Sequence, residues 1–301
     1  MLEEPACPVC GEVAGVTVLA EGRDYLHDKP GTFSVLRCGK CGLMRTAQRP
    51  GRDYIQDYYP AESYAPYQVR QTDRNRNWLA RMYWRLMDPK PLPRRPPGTL
   101  LEVGASHGAF IAEKRDLGWE VKGYDFSPEQ CRLAKQHYGV QVIPVDLENF
   151  DYPERNVDVI AAWMVLEHLY DPVKFLEAMH AVAAPGGALA LSVPDAGSMV
   201  FRFFGEYCYG WQLPTHLYHF DKHSIRTVLE AAGWRCTRIS HQRSASMWVS
   251  SLEIKNRHAP TRATRVMHAI VRRTPKVLLA GMGLLLGLTG QSGKLTVWAQ
   301  R

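Results

Sequence analysis

Short apolar runs alternate with segments of helical spacing from about residue 98 onward. The apolar runs predict strands over 99–103, 120–124, 140–145, 157–163, 188–193 and 235–240. The segments between them predict helices over 109–117, 128–137, 172–183 and 224–232, with Ser127 as the N-cap of the second and a turn at 185–187 after the third. The run at 157–163 is apolar without alternation, as is typical of a parallel strand buried on both faces. Repeated strand-then-helix units favour a doubly wound, mostly parallel α/β sheet.

The region before residue 98 has a different character. Residues 1–48 are punctuated by cysteine and glycine, with short β-type runs at 16–19 and 32–36. A stretch rich in tyrosine and arginine follows, with helical spacing over 73–87, and residues 89–98 are dominated by prolines, which no helix can cross. We therefore predict a module at 1–48, a connector at 49–97, a main domain at 98–253, a basic and apolar helical insertion at 254–293 and a final strand at 294–301.

Four cysteines stand in two close pairs in the first module. Cys7 and Cys10, like Cys38 and Cys41, are separated by two residues, and a glycine follows the second cysteine of each pair. This spacing is typical of a zinc knuckle, in which the glycine allows backbone amides to turn towards the sulfur atoms. Four thiolates leave no open coordination position, so the sequence predicts a structural Zn²⁺ rather than a catalytic one.

Composition agrees with an ordinary globular protein, because 46% of residues are hydrophobic and 22% charged. Residues 1–8 carry two glutamates and no apolar segment, so we expect no secretory signal peptide. The other three cysteines are scattered, which favours a reducing, cytoplasmic location over a disulfide framework.

A glycine-containing turn after the strand at 99–103 carries the clearest candidate ligand site. Gly104 allows close approach of a ligand to the backbone, and Gly108 allows tight entry into the next helix. Asp125 ends the second strand, where a carboxylate can accept both ribose hydroxyls of an adenosine. Asp146 follows the third strand, where it can take the adenine amino group. A nicotinamide-dependent dehydrogenase would need Gly-x-Gly-x-x-Gly, and this turn keeps only two glycines four residues apart.

These motifs, in order, resemble the class I S-adenosylmethionine-dependent methyltransferases, in particular a bacterial branch associated with surface glycans and natural products. The family's first motif is an acid followed by Gly-x-Gly-x-Gly; here Glu102 is the acid and Ser106 replaces the central glycine. The segment 158–169 matches the fourth-strand motif. The resemblance implies a seven-stranded Rossmann-like sheet closed by an antiparallel strand at 294–300. It implies that S-adenosylmethionine is held by Glu102, Gly104, Ser106, Gly108, Asp125, Asp146 and Glu167.

Three histidines are candidates for the proton acceptor in methyl transfer. His168 follows the fourth strand, whose end faces the transferring methyl in this family, and His216 and His219 lie in a run, 213–220, that resembles the family's loop over the acceptor. We expect transfer to oxygen, ahead of carbon or nitrogen, of a sugar-like or lipid-linked small molecule. Tyr58, Tyr59 and Tyr64 are further candidates for the pocket wall. A non-catalytic scaffold that binds the cofactor remains an alternative.

The net charge of +7 is concentrated near the end of the sequence. After Glu253 there is no acidic residue, whereas nine Lys and Arg residues follow it. Residues 277–289 are apolar but too few to span a bilayer. The favoured interpretation is that this segment packs on the main domain, and the alternative is peripheral contact of 255–289 with anionic lipid at the inner membrane face. A zinc-anchored RNA-associated protein is a second alternative, although residues 1–48 lack the basic and aromatic cluster expected of a nucleic-acid partner.

Overall fold

The computed structural model describes residues 2–59 and 90–301. The predicted helix over 73–87 and Tyr64 lie outside the described residues. The strands are β1 Leu2–Glu3, β2 Gly15–Gly22, β3 Phe33–Cys38, β4 Met44–Thr46, β5 Arg49–Pro50, β6 Thr99–Val103, β7 Glu120–Asp125, β8 Val142–Pro144, β9 Val157–Trp163, β10 Ala183–Pro194, β11 Tyr218–His219, β12 Arg235–His241 and β13 Lys294–Gln300. The α-helices are α1 Ala109–Arg115, α2 Pro128–Tyr138, α3 Pro172–Val182, α4 Met199–Phe204, α5 Lys222–Ala231, α6 Ser246–His258, α7 Arg262–Arg273 and α8 Lys276–Leu288. Short 3-10 turns span Ile55–Tyr58, Leu166–His168 and Gly205–Tyr207.

The main sheet has seven strands in the order β12-β13-β10-β9-β6-β7-β8. The strands β6 to β10 pair in parallel, whereas β13 lies antiparallel between β10 and β12. The expected antiparallel strand near the end of the sequence is therefore confirmed. The sheet is mixed, with a crossover that returns to the centre after β8, as in other Rossmann-like folds.

Alternate side chains of the central strands pack into two separate hydrophobic cores, one on each face of the sheet. Leu101 and Ile160 belong to the core covered by α3 and α5, whereas Leu100 and Val159 belong to the core covered by α1 and α2. All four side chains are almost completely buried. Coverage of both faces explains why residues 159–163 are apolar at consecutive positions, without the alternation of a half-exposed strand.

Two local predictions differ from the structure. Residues 185–187, predicted as a turn between a helix and a strand, lie within β10, where the register with β9 shifts between Ala183 and Ala188. The helix α5 begins two residues earlier than its apolar spacing indicates, because Asp221 caps it and accepts from the backbone N–H groups of His223 and Ser224. Ser127 caps α2 as expected.

The N-terminal module forms a second, four-stranded antiparallel sheet in the order β11-β4-β3-β2. Its edge strand β11 comes from the segment after β10 of the main domain, so the two parts of the chain share one sheet. Arg45 of β4 is buried and its Nε donates to the Pro5 carbonyl at 3.0 Å. Phe33 and Val35 of β3 pack in one cluster with apolar residues of α4 and α6. The N-terminal module therefore packs directly against helices of the main domain.

Three helices, α6 to α8, separate β12 from β13. The boundary predicted between residues 253 and 254 falls inside α6, which runs continuously to His258. Within the described ranges, no helix combines the length and the apolar character needed to cross a membrane.

Candidate active site

The site lies at one edge of the main sheet. Because β6, β7, β8, β9 and β10 are parallel, their carboxyl ends meet at the same edge. In such sheets ligands bind outside the carboxyl ends, near the point where the strand order reverses. Here the order reverses between β6 and β9, and the segments that follow these two strands carry most of the predicted site residues.

The turn after β6 has a left-handed backbone conformation at both of its glycines and packs tightly against neighbouring side chains. Gly104 and Gly108 have φ of +73° and +75°, and a Cβ on Gly108 would lie 2.6 Å from Val140 Cγ2. Ser106, which replaces the family's central glycine, also lies in the left-handed region at φ +49°. The serine therefore keeps the turn that glycine would form, and its Oγ lies 3.3 Å from Gln130 Oε1.

Asp125 links this turn to the next one. Its Oδ2 accepts from the backbone N–H of Ser106 at 2.8 Å and its Oδ1 from that of Ser127 at 2.9 Å. Burial raises the pKa of the Asp125 carboxyl, and the backbone N–H donors oppose the rise. A carboxylate with two oxygens can accept further hydrogen bonds, so this position retains the capacity to bind a pair of ribose hydroxyls.

Asp146 and Glu102 lie on either side of Asp125 in very different surroundings. Asp146 is exposed, and the pKa of its carboxyl is lowered, because hydrogen bonds from Asn149 and Glu148 outweigh desolvation. Glu102 is buried, and burial raises its pKa to about 7 although Lys90 Nζ lies 3.7 Å away. Neither Glu102 oxygen has a hydrogen-bond partner within the described chain. A buried acid whose nearest cation is 3.7 Å away, with no hydrogen bond to either oxygen, still has lone pairs for a polar or cationic ligand group.

Glu167, His168 and His216 come together although 47 residues separate His168 from the loop position Thr215 that contacts it. One ligand atom from each of the three lies within 4.8 Å of the others. The two imidazole centroids are 4.6 Å apart and nearly perpendicular. Glu167 is fully buried, burial raises its pKa to about 8, and its carboxyl oxygens lack hydrogen-bond partners among the residues described. Such a set could hold a divalent metal or handle a proton.

The proton positions on the two imidazoles follow from their neighbours. His168 Nδ1 lies 3.0 Å from the Thr215 carbonyl, and His216 Nδ1 lies 2.9 Å from the Gly210 carbonyl. A carbonyl can only accept, so it favours a hydrogen on Nδ1 and a lone pair on Nε2 in both rings. The Tyr59 hydroxyl, which is also 3.0 Å from His168 Nδ1, then acts as an acceptor there. Burial lowers the pKa of His168 to about 4, and it lowers the pKa of His216 well below the usual value with a further contribution from His168. Both rings are therefore neutral at pH 7.

His219 lies one layer behind this pair, in β11. It is buried, its Nε2 is 3.2 Å from Thr46 Oγ1, and its ring packs against Trp211. Burial lowers its pKa to about 3. Thr46 Oγ1 also donates to the His216 carbonyl at 2.8 Å. His219 thus connects the N-terminal sheet to the loop that carries His216, and its predicted catalytic role stays a prediction.

The sequence did not single out three residues at this edge. Phe126 follows Asp125 and keeps 44% of its surface exposed. Met164 follows β9 with φ +57°, an uncommon conformation for a residue other than glycine, asparagine or aspartate. The Thr215 carbonyl orients His168, as described above. No apolar pattern marks these positions.

Tyr59, a candidate for the pocket wall, places its hydroxyl 3.0 Å from His168 Nδ1, whereas Tyr58 donates to the Pro30 carbonyl.

The four paired cysteines gather in the N-terminal module. Sγ of Cys7 lies 3.3 Å from Sγ of Cys41, Sγ of Cys10 lies 3.5 Å from Sγ of Cys38, and all four sulfurs lie within 4.8 Å of one another. Tetrahedral zinc with Zn–S bonds of about 2.3 Å would place sulfurs ~3.8 Å apart. None of the four is in a disulfide. Burial would raise the pKa of the Cys38 thiol, but hydrogen bonds from the backbone N–H groups of Cys41 and Lys40 lower it to about 7. The residues fit a zinc site with four cysteine ligands.

The strand order and the glycine turn define a protein with the Rossmann-like fold of the class I methyltransferases. The family model described as a methyltransferase domain matches residues 70–239, and the chain belongs to this family. The predicted fold class is therefore confirmed at this level.

Among curated proteins, the chain is similar to enzymes with several kinds of acceptor. It is 28% identical over 132 residues to the ubiquinone biosynthesis O-methyltransferase of Methylobacterium sp. (strain 4-46), covering 41% of this chain and 53% of the relative. It is 31% identical over 131 residues to the protein of the same name from Nitrobacter winogradskyi, covering 41% and 49%. It is 29% identical over 109 residues to ajmaline N-methyltransferase of Rauvolfia serpentina, covering 33% and 37%. The chain thus spans about half or less of the length of these relatives.

Removal of the Asp125 carboxylate should weaken S-adenosylmethionine binding. Because each hydrogen bond to a charged group contributes roughly 1.5–3 kcal/mol, we expect Asp125→Ala to raise the Kd by about a hundredfold or more, with an unchanged circular-dichroism spectrum. Calorimetric titration measures this. Asp158→Ala is the matched control, because Asp158 also accepts from a backbone N–H, that of Thr99, but at the opposite edge of the sheet. Equal affinities of both variants would contradict the ribose assignment.

The buried Glu102 carboxyl should make cofactor affinity depend on pH. Its pKa in the folded protein is about 7, against an ordinary value of 4.5. A cationic sulfonium ligand favours the ionised form, so affinity should rise as the pH increases through about 7. The free energy of unfolding of the ligand-free protein should instead fall as the pH rises. The raised pKa means that the folded protein holds the Glu102 proton more tightly than the unfolded chain does. This contribution is therefore complete below pH 4.5 and lost as the pH passes about 7.

Glu102→Gln separates this effect from titration of the ligand itself. Both pH dependences should become flatter in the variant, as measured by calorimetry for binding and by urea denaturation for stability. Identical pH profiles for the wild type and Glu102→Gln would show that this carboxyl does not respond to the ligand.

Proposed function

We propose that this protein transfers the methyl group of S-adenosylmethionine to a hydroxyl oxygen of a small molecule, with His168 as the proton acceptor. The observation that carries the proposal is the meeting of Glu167, His168 and His216 beside the glycine turn, with a free Nε2 on each imidazole. The family membership and the O-methyltransferase names of several relatives support it. The N-methyltransferase among the relatives shows that the family alone does not fix the acceptor atom.

The chain's own residues have limited tasks in this reaction. Bound S-adenosylmethionine supplies an electrophilic methyl group on a sulfonium. Gly104, Ser106 and Gly108 would hold it through the backbone, with Asp125 at the ribose hydroxyls and Asp146 at the adenine amino group. His168 Nε2 would take the hydroxyl proton as the oxygen–carbon bond forms. Positioning and one proton acceptor suffice, because the methyl group is already activated.

The Thr215 carbonyl is central to the role of His168. It favours the hydrogen on Nδ1, and the low pKa of the partly buried imidazole keeps the ring neutral before the reaction. A ring with pKa about 4 is a weak base. It therefore accepts a proton only as the acceptor oxygen becomes acidic during methyl transfer. Glu167 lies close to the ring, and its protonated carboxyl could still accept a hydrogen bond from the imidazolium through its carbonyl oxygen.

We further propose a sugar-like or lipid-linked acceptor and a cytoplasmic location for the protein. The acceptor side would include the 205–220 segment, which carries His216. Most of its rings, such as Trp211 and Tyr218, are buried and would hold this segment in place behind the acceptor. The paired cysteines would bind one structural Zn²⁺. The zinc would stabilise the module that provides β4, and so would keep Thr46 in contact with the His216 carbonyl.

Removal of the His168 imidazole should slow turnover without weakening cofactor binding. We expect His168→Ala to lower kcat by about a hundredfold, the usual effect of losing a general base, with little change in the Kd for S-adenosylmethionine. The measurement is S-adenosylhomocysteine release with a panel of hydroxylated sugars, quinols and lipid-linked sugars.

His180→Ala is the matched control. His180 lies near the end of α3, just before β10 begins, and packs against Trp234, away from the carboxyl ends of the parallel strands. Turnover only with amine acceptors would contradict hydroxyl methylation. Cofactor binding without turnover for any acceptor in the panel would favour the scaffold alternative.

Metal analysis of the untagged protein should find about one zinc per chain. Cys41→Ser should remove most of it and reduce acceptor turnover more than cofactor affinity, since the module contacts the His216 loop. Cys236→Ser is the control, because this half-buried thiol lies in β12, away from the four paired cysteines. Protein with four intact thiols, no zinc and normal stability would exclude the zinc site.

A further inference from the structure

The outer surface of α7 and α8 is unusually apolar for a helical pair on a protein surface. Eight apolar side chains expose between 39% and 70% of their area. They are Val266, Met267, Ile270, Val277, Leu278, Leu284, Leu285 and Leu288. We call this set the apolar face. Exposed apolar side chains grouped in this way on two consecutive helices mark a candidate interaction site.

The orientation of α8 is fixed by its glycines. A Cβ on Gly283 would lie 3.0 Å from the backbone of Ala245 and Arg243, and one on Gly287 would lie 3.0 Å from the Gln242 carbonyl. The glycine side of the helix therefore lies directly on the 242–245 loop. The leucines of the apolar face are on the remaining surface of the helix, so their exposure is built into the way that α8 packs.

The helix that carries part of the apolar face is also basic, and Arg262 and Arg273 lie on the same side of α7 as Val266 and Ile270. Arg262, Arg265, Arg272, Arg273 and Lys276 are all exposed. The sequence has no acidic residue after Glu253. Arg273 also lines, with Val266 and Ile270, a shallow groove at the turn between the two helices. This combination of apolar and cationic side chains is typical of helices that lie in the interface of an anionic membrane.

We propose that α7 and α8 dock this protein on the surface of a bilayer that contains anionic lipids. With 13 residues, α8 is only about 20 Å long, so it would lie in the plane of the interface and not cross it. A second copy of the chain fits less well, because a symmetric contact would bring two basic faces together. Nucleic acid fits less well because the central surface is apolar.

The segment that contains α7 and α8 leaves the main sheet at the edge that carries the candidate active site. The strand β12 runs antiparallel to β13 and therefore parallel to β10, so the 242–293 segment leaves the main sheet at the carboxyl edge. The backbone N–H of Met199, which opens α4, donates to Gln291 Oε1 at 2.7 Å and joins the end of this segment to the segment after β10. The segment that carries the apolar face thus starts and ends at the edge of the candidate active site. On the basis of the proposed function, an amphiphilic acceptor would pass from the bilayer to the site along this edge.

The test is sedimentation of the full chain with vesicles, without methyl donor or acceptor, so that its outcome does not depend on the proposed reaction. We expect binding to vesicles of equal parts phosphatidylcholine and phosphatidylglycerol, and much weaker binding to phosphatidylcholine alone. Leu285→Asp should weaken binding by about tenfold or more, and Arg262→Gln with Arg273→Gln by about fivefold for each arginine. Raised salt should weaken binding by the wild type.

Leu117→Asp is the matched control, because Leu117 is similarly exposed but lies between α1 and β7 at the opposite edge of the sheet. Its binding should equal that of the wild type. All variants should keep the wild-type circular-dichroism spectrum and affinity for S-adenosylmethionine. Absence of vesicle binding by the wild type would overturn the proposal. So would equal binding by Leu285→Asp, or a dimer in light scattering that Leu285→Asp dissociates while vesicles bind neither protein.

Discussion

Burial of the central strands on both faces is the constraint on which the rest of the molecule depends. Beyond Asp158 at its start, β9 has only apolar side chains, so helices must cover both faces of the sheet around parallel strands. Parallel strands bring their carboxyl ends to one edge. The glycine turn, Asp125, Asp146 and the Glu167 segment are neighbours for this reason, although 65 residues separate Glu102 from Glu167 in the sequence.

The N-terminal module contacts the candidate acceptor loop through strand pairing and hydrogen bonds. The strand β11 pairs with β4 and not with the main sheet, and Thr46 binds both the His216 carbonyl and the His219 ring. A four-cysteine site that looks remote in sequence is therefore connected to the candidate acceptor loop through a few hydrogen bonds. This connection gives the module a positional role that requires no direct contact with either substrate.

The features that could be predicted from sequence are those set by local chemistry. Apolar periodicity found the strands, positive-φ requirements found Gly104 and Gly108, and paired cysteines predicted the sulfur cluster. The pairing of His168 with His216 was not predicted, because it depends on how a distant loop folds back onto the end of β9. Backbone groups that orient a side chain, such as the Thr215 carbonyl, carry no sequence pattern at all. The continuous β10 and the extent of α6 were missed because glycine, proline and charge marked boundaries that tertiary packing overrides.

The position of β13 has a consequence for biosynthesis. This strand is made after every other strand of the main sheet, yet it is inserted between β10 and β12. While the ribosome is still translating the helices α6 to α8, β10 must therefore present an unpaired apolar edge, and β12 has no strand to join. Vectorial synthesis thus leaves the nascent domain open until the last strand has emerged, a stage at which a chaperone could protect the exposed edge.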